Sequence, residues 1–258
     1  MTENFRVTLV QSDLFWEDRT SNLEMFARKF QNIQEPTDLI VLPEMFSTGF
    51  SMLAEKLAES PDGETFQWMV SQAQHLNTAL TGSFIVKENR NYYNRLFFIF
   101  PDGSFKKYDK RHTFTYAKEN ESYSAGQGRL LIDYKGWRIC PLICYDLRFP
   151  VWSRNTDDYD ILIYIANWPE SRTVAWDTLL RARAIENMAY CIGVNRVGKD
   201  GNDHDYVGHS AVFDALGSQI SCSAFDEFIQ TVTLDHEKLI TARRRFGFLN
   251  DRDSFQIL

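Results

Sequence analysis

Gly136-Trp-Arg-Ile-Cys-Pro-Leu-Ile-Cys144-Tyr-Asp-Leu-Arg-Phe-Pro150 carries an apolar run straight into Cys, Tyr, Asp and Arg. A short apolar run bounded by a turn signal reads as a buried strand. A strand that stops beside reactive side chains is how an α/β protein presents chemistry at the carboxyl edge of its sheet. Two further stretches follow the same pattern. Asp38-Leu-Ile-Val-Leu-Pro-Glu44-Met-Phe delivers a carboxylate, and Lys106-Lys-Tyr-Asp-Lys110-Arg-His-Thr-Phe114 an ammonium.

Outward from these runs, strand-like and helix-like segments alternate. Strands are expected at 5–11, 38–43, 79–86, 95–100, 105–108, 130–134, 137–143, 160–166, 191–197, 209–213, 218–223 and 229–234. Ser21-Asn-Leu-Glu24 has capping-box spacing, with Leu23, Phe26, Phe30 and Ile33 on one helical face after it. Further helices are expected at 65–75, with Phe66, Met69, Val70 and Ala73 inward, and at 173–190. Pro101-Asp-Gly103 and Ala215-Leu-Gly217 are turn signals. Many strands, a few long helices and no linker predict one α/β domain over residues 1–258, with two sheets packed between helical layers. The polar segment 241–258, with its Arg-Arg-Arg-Phe-Gly-Phe-Leu stretch, is expected to close against a neighbouring subunit.

Composition sets outer bounds. The chain has 258 residues, 44% apolar and 24% charged, ordinary for a folded protein with a substantial core. A net charge of −7 argues against a nucleic-acid partner, and an anionic ligand would need a local cationic patch. No basic stretch followed by an apolar one opens the chain, and no run is long enough to span a bilayer, so a cytoplasmic protein is expected. The 4 cysteines show no Cys-x-x-Cys pair, consistent with reduced thiols. The 5 histidines have no ligand spacing, and no metal or cofactor is called for.

Each candidate has a plainer explanation. A thiol in an apolar run is usually inert core, and Cys140 keeps that reading. Cys144 differs because it is the last apolar position before a polar edge, where a thiol can ionise. Glu44, half-shielded by Pro43, Met45 and Phe46, suits a general base. Lys110 sits among charged neighbours that read as a solvated face. Glu119 and Glu121 are unremarkable alone. The order Glu, Lys, Glu, Cys in these contexts is not.

Leu42-Pro-Glu44-Met-Phe, Asp109-Lys110-Arg-His, Glu119-x6-Gly126, Leu142-Ile-Cys144-Tyr-Asp-Leu-Arg-Phe-Pro150, Arg181-Ala-Arg-Ala-Ile-Glu-Asn187 and Gly208-His-Ser-Ala-Val-Phe-Asp214 together resemble the nitrilase superfamily of carbon–nitrogen hydrolases. Cys-Tyr-Asp-Leu-Arg-Phe-Pro with Trp152-Ser-Arg looks most like its omega-amidase branch, which removes the terminal amide of 2-oxoglutaramate and related dicarboxylate monoamides. The resemblance implies a four-layer α-β-β-α sandwich of two mixed sheets, assembled at least as a homodimer. It makes Cys144 the nucleophile, Glu44 the general base and Lys110 the oxyanion stabiliser. Glu119 or Glu121 is the second glutamate, with spacing to Ala125-Gly126 favouring Glu119. Tyr145, through its backbone N–H, joins Lys110 at the oxyanion. Arg148 is the candidate cation for a free carboxylate, against the commoner use of such an arginine in an ion pair with Asp146 or Glu186. Phe114 and Trp168 are candidate pocket walls. The alternatives are a superfamily relative acting on a carbamoyl-amino acid, a nitrile or a deaminated-glutathione-like amide, and a non-catalytic binding protein.

Overall fold

The computed structural model describes residues 2–222 and 225–257. Its thirteen strands are β1 (Phe5–Gln11), β2 (Leu39–Val41), β3 (Ala79–Glu88), β4 (Asn91–Ile99), β5 (Phe105–Asp109), β6 (Ile132–Tyr134), β7 (Trp137–Ile143), β8 (Ile161–Ile165), β9 (Tyr190–Val194), β10 (Val197–Lys199), β11 (Asp205–Val207), β12 (Ala211–Phe213) and β13 (Phe228–Leu234). The helices are α1 (Arg19–Phe30), α2 (Ala54–Leu57), α3 (Glu64–Leu76), α4 (Glu119–Ser122), α5 (Pro150–Ser153), α6 (Thr173–Asn187) and α7 (His236–Phe246).

Two large mixed sheets form. One has 6 strands in the order β13-β1-β2-β3-β4-β5, the other 5 in the order β12-β9-β8-β7-β6. In each, the middle is parallel: β1, β2 and β3 in the first, β7, β8 and β9 in the second. Alternation explains the layering. Phe5, Val7, Leu9, Leu39 and Val41 point into the core shared with Ile139, Ile161, Ile163 and their neighbours on the second sheet. Val10, Ile40 and Leu42 point the other way, onto Leu23, Phe26 and Phe30 of α1 and Phe66, Met69 and Ala73 of α3. On the far side α6 lays Trp176 and Leu180 on β9. Gly193 permits this approach, since a Cβ there would stand 2.4 Å from Leu180 and 2.8 Å from Trp176. The result is the expected four-layer sandwich, helix on sheet on sheet on helix.

Several boundaries move for local reasons. α1 is capped by Asp18, whose side chain accepts from the Ser21 N–H, so the helix starts before the expected Ser21 and ends before Ile33. α6 stops at Asn187, short of the expected 190, because Met188 takes φ +45°. The expected strand at 218–223 is absent over its described part. Gln219 makes an isolated bridge to Phe213, and Ser223 lies outside the described residues. The β10–β11 hairpin was not anticipated. Thr241 to Phe246 continue α7, and Arg243 ties that helix to its own chain through Met188 O, Tyr159 O and Asp160.

Candidate active site

Glu44, Cys144 and Asn167 follow the carboxyl ends of β2, β7 and β8, and Lys110 follows β5, so the two sheets present them along one edge. Cys144 opens a short helical turn, Cys144–Arg148, with φ +45°. That left-handed conformation costs a non-glycine residue about 1–2 kcal/mol and needs support from its surroundings. Asp146 supplies it. Its carboxylate accepts from the Ile143 N–H (3.0 Å), the Tyr108 hydroxyl (2.7 Å) and the His112 N–H (3.1 Å), with His112 Nδ1 at 2.8 Å. His112 also stacks flat on Phe149 at 3.6 Å. It therefore braces the turn and stands outside the reaction. Met45, just after Glu44, has φ +43° and is held by Ser83, whose hydroxyl accepts from its N–H at 2.9 Å.

Three charged side chains meet out of solvent. Lys110 Nζ donates to Glu44 Oε1 at 2.8 Å and to both Glu119 oxygens at 3.0 and 2.9 Å. Glu44 and Glu119 are 0% exposed and Lys110 1%. Asn94 Nδ2 donates to Glu44 Oε1 at 2.8 Å, and the Asn167 N–H to Glu44 Oε2 at 2.8 Å. Glu119 Oε2 also accepts from the Phe114 N–H at 2.5 Å. Of the two candidate glutamates, Glu119 joins this buried cluster, whereas Glu121 is exposed with Lys118 at 4.0 Å.

The electrostatics follow from this packing. Burial alone would push the Lys110 ammonium down, but the Glu119 and Glu44 carboxylates outweigh it and hold it above the ordinary lysine range. Burial, set against the pull of Lys110, lifts the Glu119 carboxyl. Burial and then the Glu44 charge hold the Cys144 thiol well above the ordinary range, opposed by Lys110. Its sulfur also lies 3.9 Å from Asn167 O. Burial and the neighbouring carboxylate thus both favour the neutral form of this thiol. Cys140 is buried in the sheet, its thiol pushed up to about 12, as its inert reading requires.

Cys144 forms part of a cavity of about 390 Å³, whose wall also includes Phe114, Tyr145, Arg148, Trp168 and Arg172. Lys110 lies behind it, 5.1 Å from the ring centre of Phe50, another lining residue. Phe114 packs on Tyr145 at 4.9 Å between ring centres. Trp168 is fixed by Asn195, which accepts from its N–H at 2.8 Å and donates to its carbonyl at 2.9 Å. The expected ion pair of Arg148 does not form. Asp146 is consumed by the turn and Glu186 pairs with Arg183, so Arg148 lies over the Trp168 ring at 5.0 Å, facing the cavity.

All eight residues singled out in the sequence thus converge on one cavity and the charged cluster behind it. The sequence reading missed Asn94, Asn167, Arg172 and the β10–β11 hairpin, which brings Asp200, Asn202, His204 and Tyr206 to the cavity. Asn167 had a usable signal, since it follows an apolar strand as Glu44 and Cys144 do. Asn94 had one too, because asparagine is depleted in strand interiors. Among the described residues no His, Cys, Asp and Glu side chains cluster to hold a metal ion.

Comparison with known proteins agrees with this geometry. Residues 6–244 match the carbon–nitrogen hydrolase family. A curated relative named omega-amidase YafV, from Yersinia enterocolitica, is 45% identical over 257 residues, covering 98% of each chain. A 2-oxoglutaramate amidase from Bacillus subtilis is 28% identical, over 95% of this chain and 96% of its own. A CN-hydrolase superfamily protein from Xanthomonas campestris, solved with an arsenic adduct in its active site, superposes with TM-score 0.97 at 42% identity, over 99% of this chain and 100% of that one. The chain belongs to the carbon–nitrogen hydrolase family, as the sequence resemblance implied.

Proposed function

We propose that the protein is an omega-amidase, a cysteine-dependent hydrolase that releases ammonia from 2-oxoglutaramate or related dicarboxylate monoamides. The observation carrying this reading is the buried Glu44–Lys110–Glu119 cluster behind a cavity that holds both the Cys144 thiol and the unpaired Arg148 guanidinium. Two relatives, an omega-amidase YafV and a 2-oxoglutaramate amidase, carry such an activity in their names.

The substrate amide enters the cavity with its carbonyl carbon at Cys144. An ordinary thiol is only a few per cent ionised near pH 7, and this one less, so attack needs the proton removed as the bond forms. Glu44 accepts it while sulfur bonds to the carbonyl carbon. The carbonyl oxygen becomes an oxyanion, held by the Lys110 ammonium and the Tyr145 N–H, which has no partner within its own helical turn because it lies in the first turn. A fixed donor of this kind contributes about 3–4 kcal/mol to the transition state. Glu44 returns its proton to the departing nitrogen, the carbon–nitrogen bond breaks, and ammonia leaves a thioester on Cys144. Glu44 then takes a proton from water as the water oxygen attacks the thioester, and the proton returns to sulfur as the acid is released. Glu119 keeps Lys110 in place. Arg148 meets the free carboxylate, with Phe114 and Trp168 as the walls.

Ammonia release measured on 2-oxoglutaramate, succinamate, glutamine, asparagine and a carbamoyl-amino acid tests the assignment. The two dicarboxylate monoamides without an amino group should lead. A carbamoyl-amino acid leading by an order of magnitude would replace the proposed substrate.

A further inference from the structure

Arg172 is a cavity residue without an assigned task. It precedes α6, its position set by its N–H donating to Pro169 O at 3.0 Å and its carbonyl accepting from Trp168 Nε1 at 2.8 Å. Its guanidinium lies over the Phe114 ring at 5.1 Å, as Arg148 lies over Trp168. Neither guanidinium has a carboxylate partner or a hydrogen-bond acceptor among the described residues. The buried Arg95, Arg183 and Arg196, by contrast, are each paired with a carboxylate. A planar cation laid on an aromatic face is held in place with its N–H fork free.

The acidic side of the cavity is closed. Asp200 is its single lining carboxylate among the described residues. One oxygen accepts from the Asn202 and His204 N–H groups at 2.8 and 3.0 Å, the other from the Tyr206 hydroxyl at 2.9 Å. Glu44 and Glu119 are occupied by Lys110. An ammonium group entering the cavity meets two free guanidiniums and no free carboxylate.

We infer that Arg172 is a specificity residue: it completes, with Arg148, a two-guanidinium clamp on the carboxylate end of the substrate, and its charge turns away monoamides bearing an α-ammonium group. The clamp rests on the amidase reading of Cys144 and narrows it to oxo-acid and unsubstituted monoamides, against amino-acid amides such as glutamine. A carboxylate between two guanidiniums satisfies both forks, whereas a zwitterion sets like charges against each other.

The test compares Arg172→Gln and Arg172→Lys with wild type on succinamate and on butyramide, a neutral amide of equal chain length. Arg172→Gln should lower the ratio of kcat/KM for succinamate over butyramide by about tenfold to a hundredfold, as loss of a charged hydrogen bond implies, with the change in KM. Arg172→Lys should recover part of it. The preference for 2-oxoglutaramate over glutamine should shrink in Arg172→Gln. Equal losses on both amides would reduce Arg172 to a support for Phe114 and overturn the inference, as would an unchanged ratio. A second readout separates this from the amidase proposal: glutarate should protect Cys144 from iodoacetamide, and about tenfold more should be needed in Arg172→Gln. Protection lost as expected in an enzyme that ignores every dicarboxylate monoamide would sink the proposed substrate and keep the clamp. Protection identical in the two proteins would sink the clamp alone.

Discussion

At the scale of single residues, the site rests on one ammonium shared by two buried carboxylates. Taking one partner from a buried pair leaves an uncompensated charge, at a cost of about 3–5 kcal/mol. Lys110→Ala should therefore lose both turnover and stability, visible as a lower urea midpoint together with absent ammonia release. Glu119→Gln removes one of the two charges and keeps a hydrogen-bonding side chain, so it should cost less on both counts. The Cys144 thiol offers a sharper probe. Burial and the Glu44 charge hold it above the ordinary range, so its alkylation by iodoacetamide should still be climbing with pH beyond about 9, where an ordinary thiol is already half ionised. Glu44→Gln takes away the neighbouring negative charge and leaves Lys110 less opposed. The alkylation profile should then move to lower pH while amide hydrolysis disappears. A profile that stays put or moves upward would contradict the charge balance described. Labelling has to be read by peptide mapping, because Cys222 is an exposed free thiol and will also react.

At the scale of elements, tight turns and caps do most of the positioning. The β3–β4 hairpin closes through Asn89 (φ +50°) and Arg90 (φ +70°), two left-handed residues, the geometry that favours Asn-Gly. Arg90 is exposed, so Arg90→Gly should stabilise the protein by roughly 0.5–1 kcal/mol, readable as a rise in Tm. Gly193→Ala makes the opposite case. Its methyl would enter the Leu180 and Trp176 contact and should destabilise by about 1–3 kcal/mol in chemical denaturation. Such elements also show what could be read beforehand. β1 and β7 begin and end where their apolar alternation does, because both are buried on the sheets they build. β5 hid its role: among Lys106, Lys107, Asp109 and Lys110 the sequence shows a charged face, yet Tyr108 and Lys110 fall on the inward parity. The β10–β11 hairpin left no apolar signal, since it is 3 residues a strand and polar at its tip.

At the scale of the whole molecule, the sandwich explains why residues so far apart in sequence share one site. Each sheet keeps parallel strands at its centre, and their carboxyl ends lie at one edge, where Glu44 from one sheet meets Asn167 from the other. The four residues proposed to react were legible because each lies just beyond a strand or in a motif of the family pattern. That Arg148 would stand without an ion pair was not, because Asp146 is taken up by Ile143, Tyr108 and His112 and Glu186 by Arg183 only once the chain is folded. Among the described residues no helix is long and apolar enough to cross a membrane.

Intact-protein mass measured within one turnover of 2-oxoglutaramate, with ammonia quantified in parallel, probes the nucleophile itself. A burst of ammonia equal to the enzyme present, an acyl group mapped to Cys144, and neither in a folded Cys144→Ala variant are the predicted results. Ammonia release that persists in Cys144→Ala, or an adduct mapped elsewhere, would contradict the account.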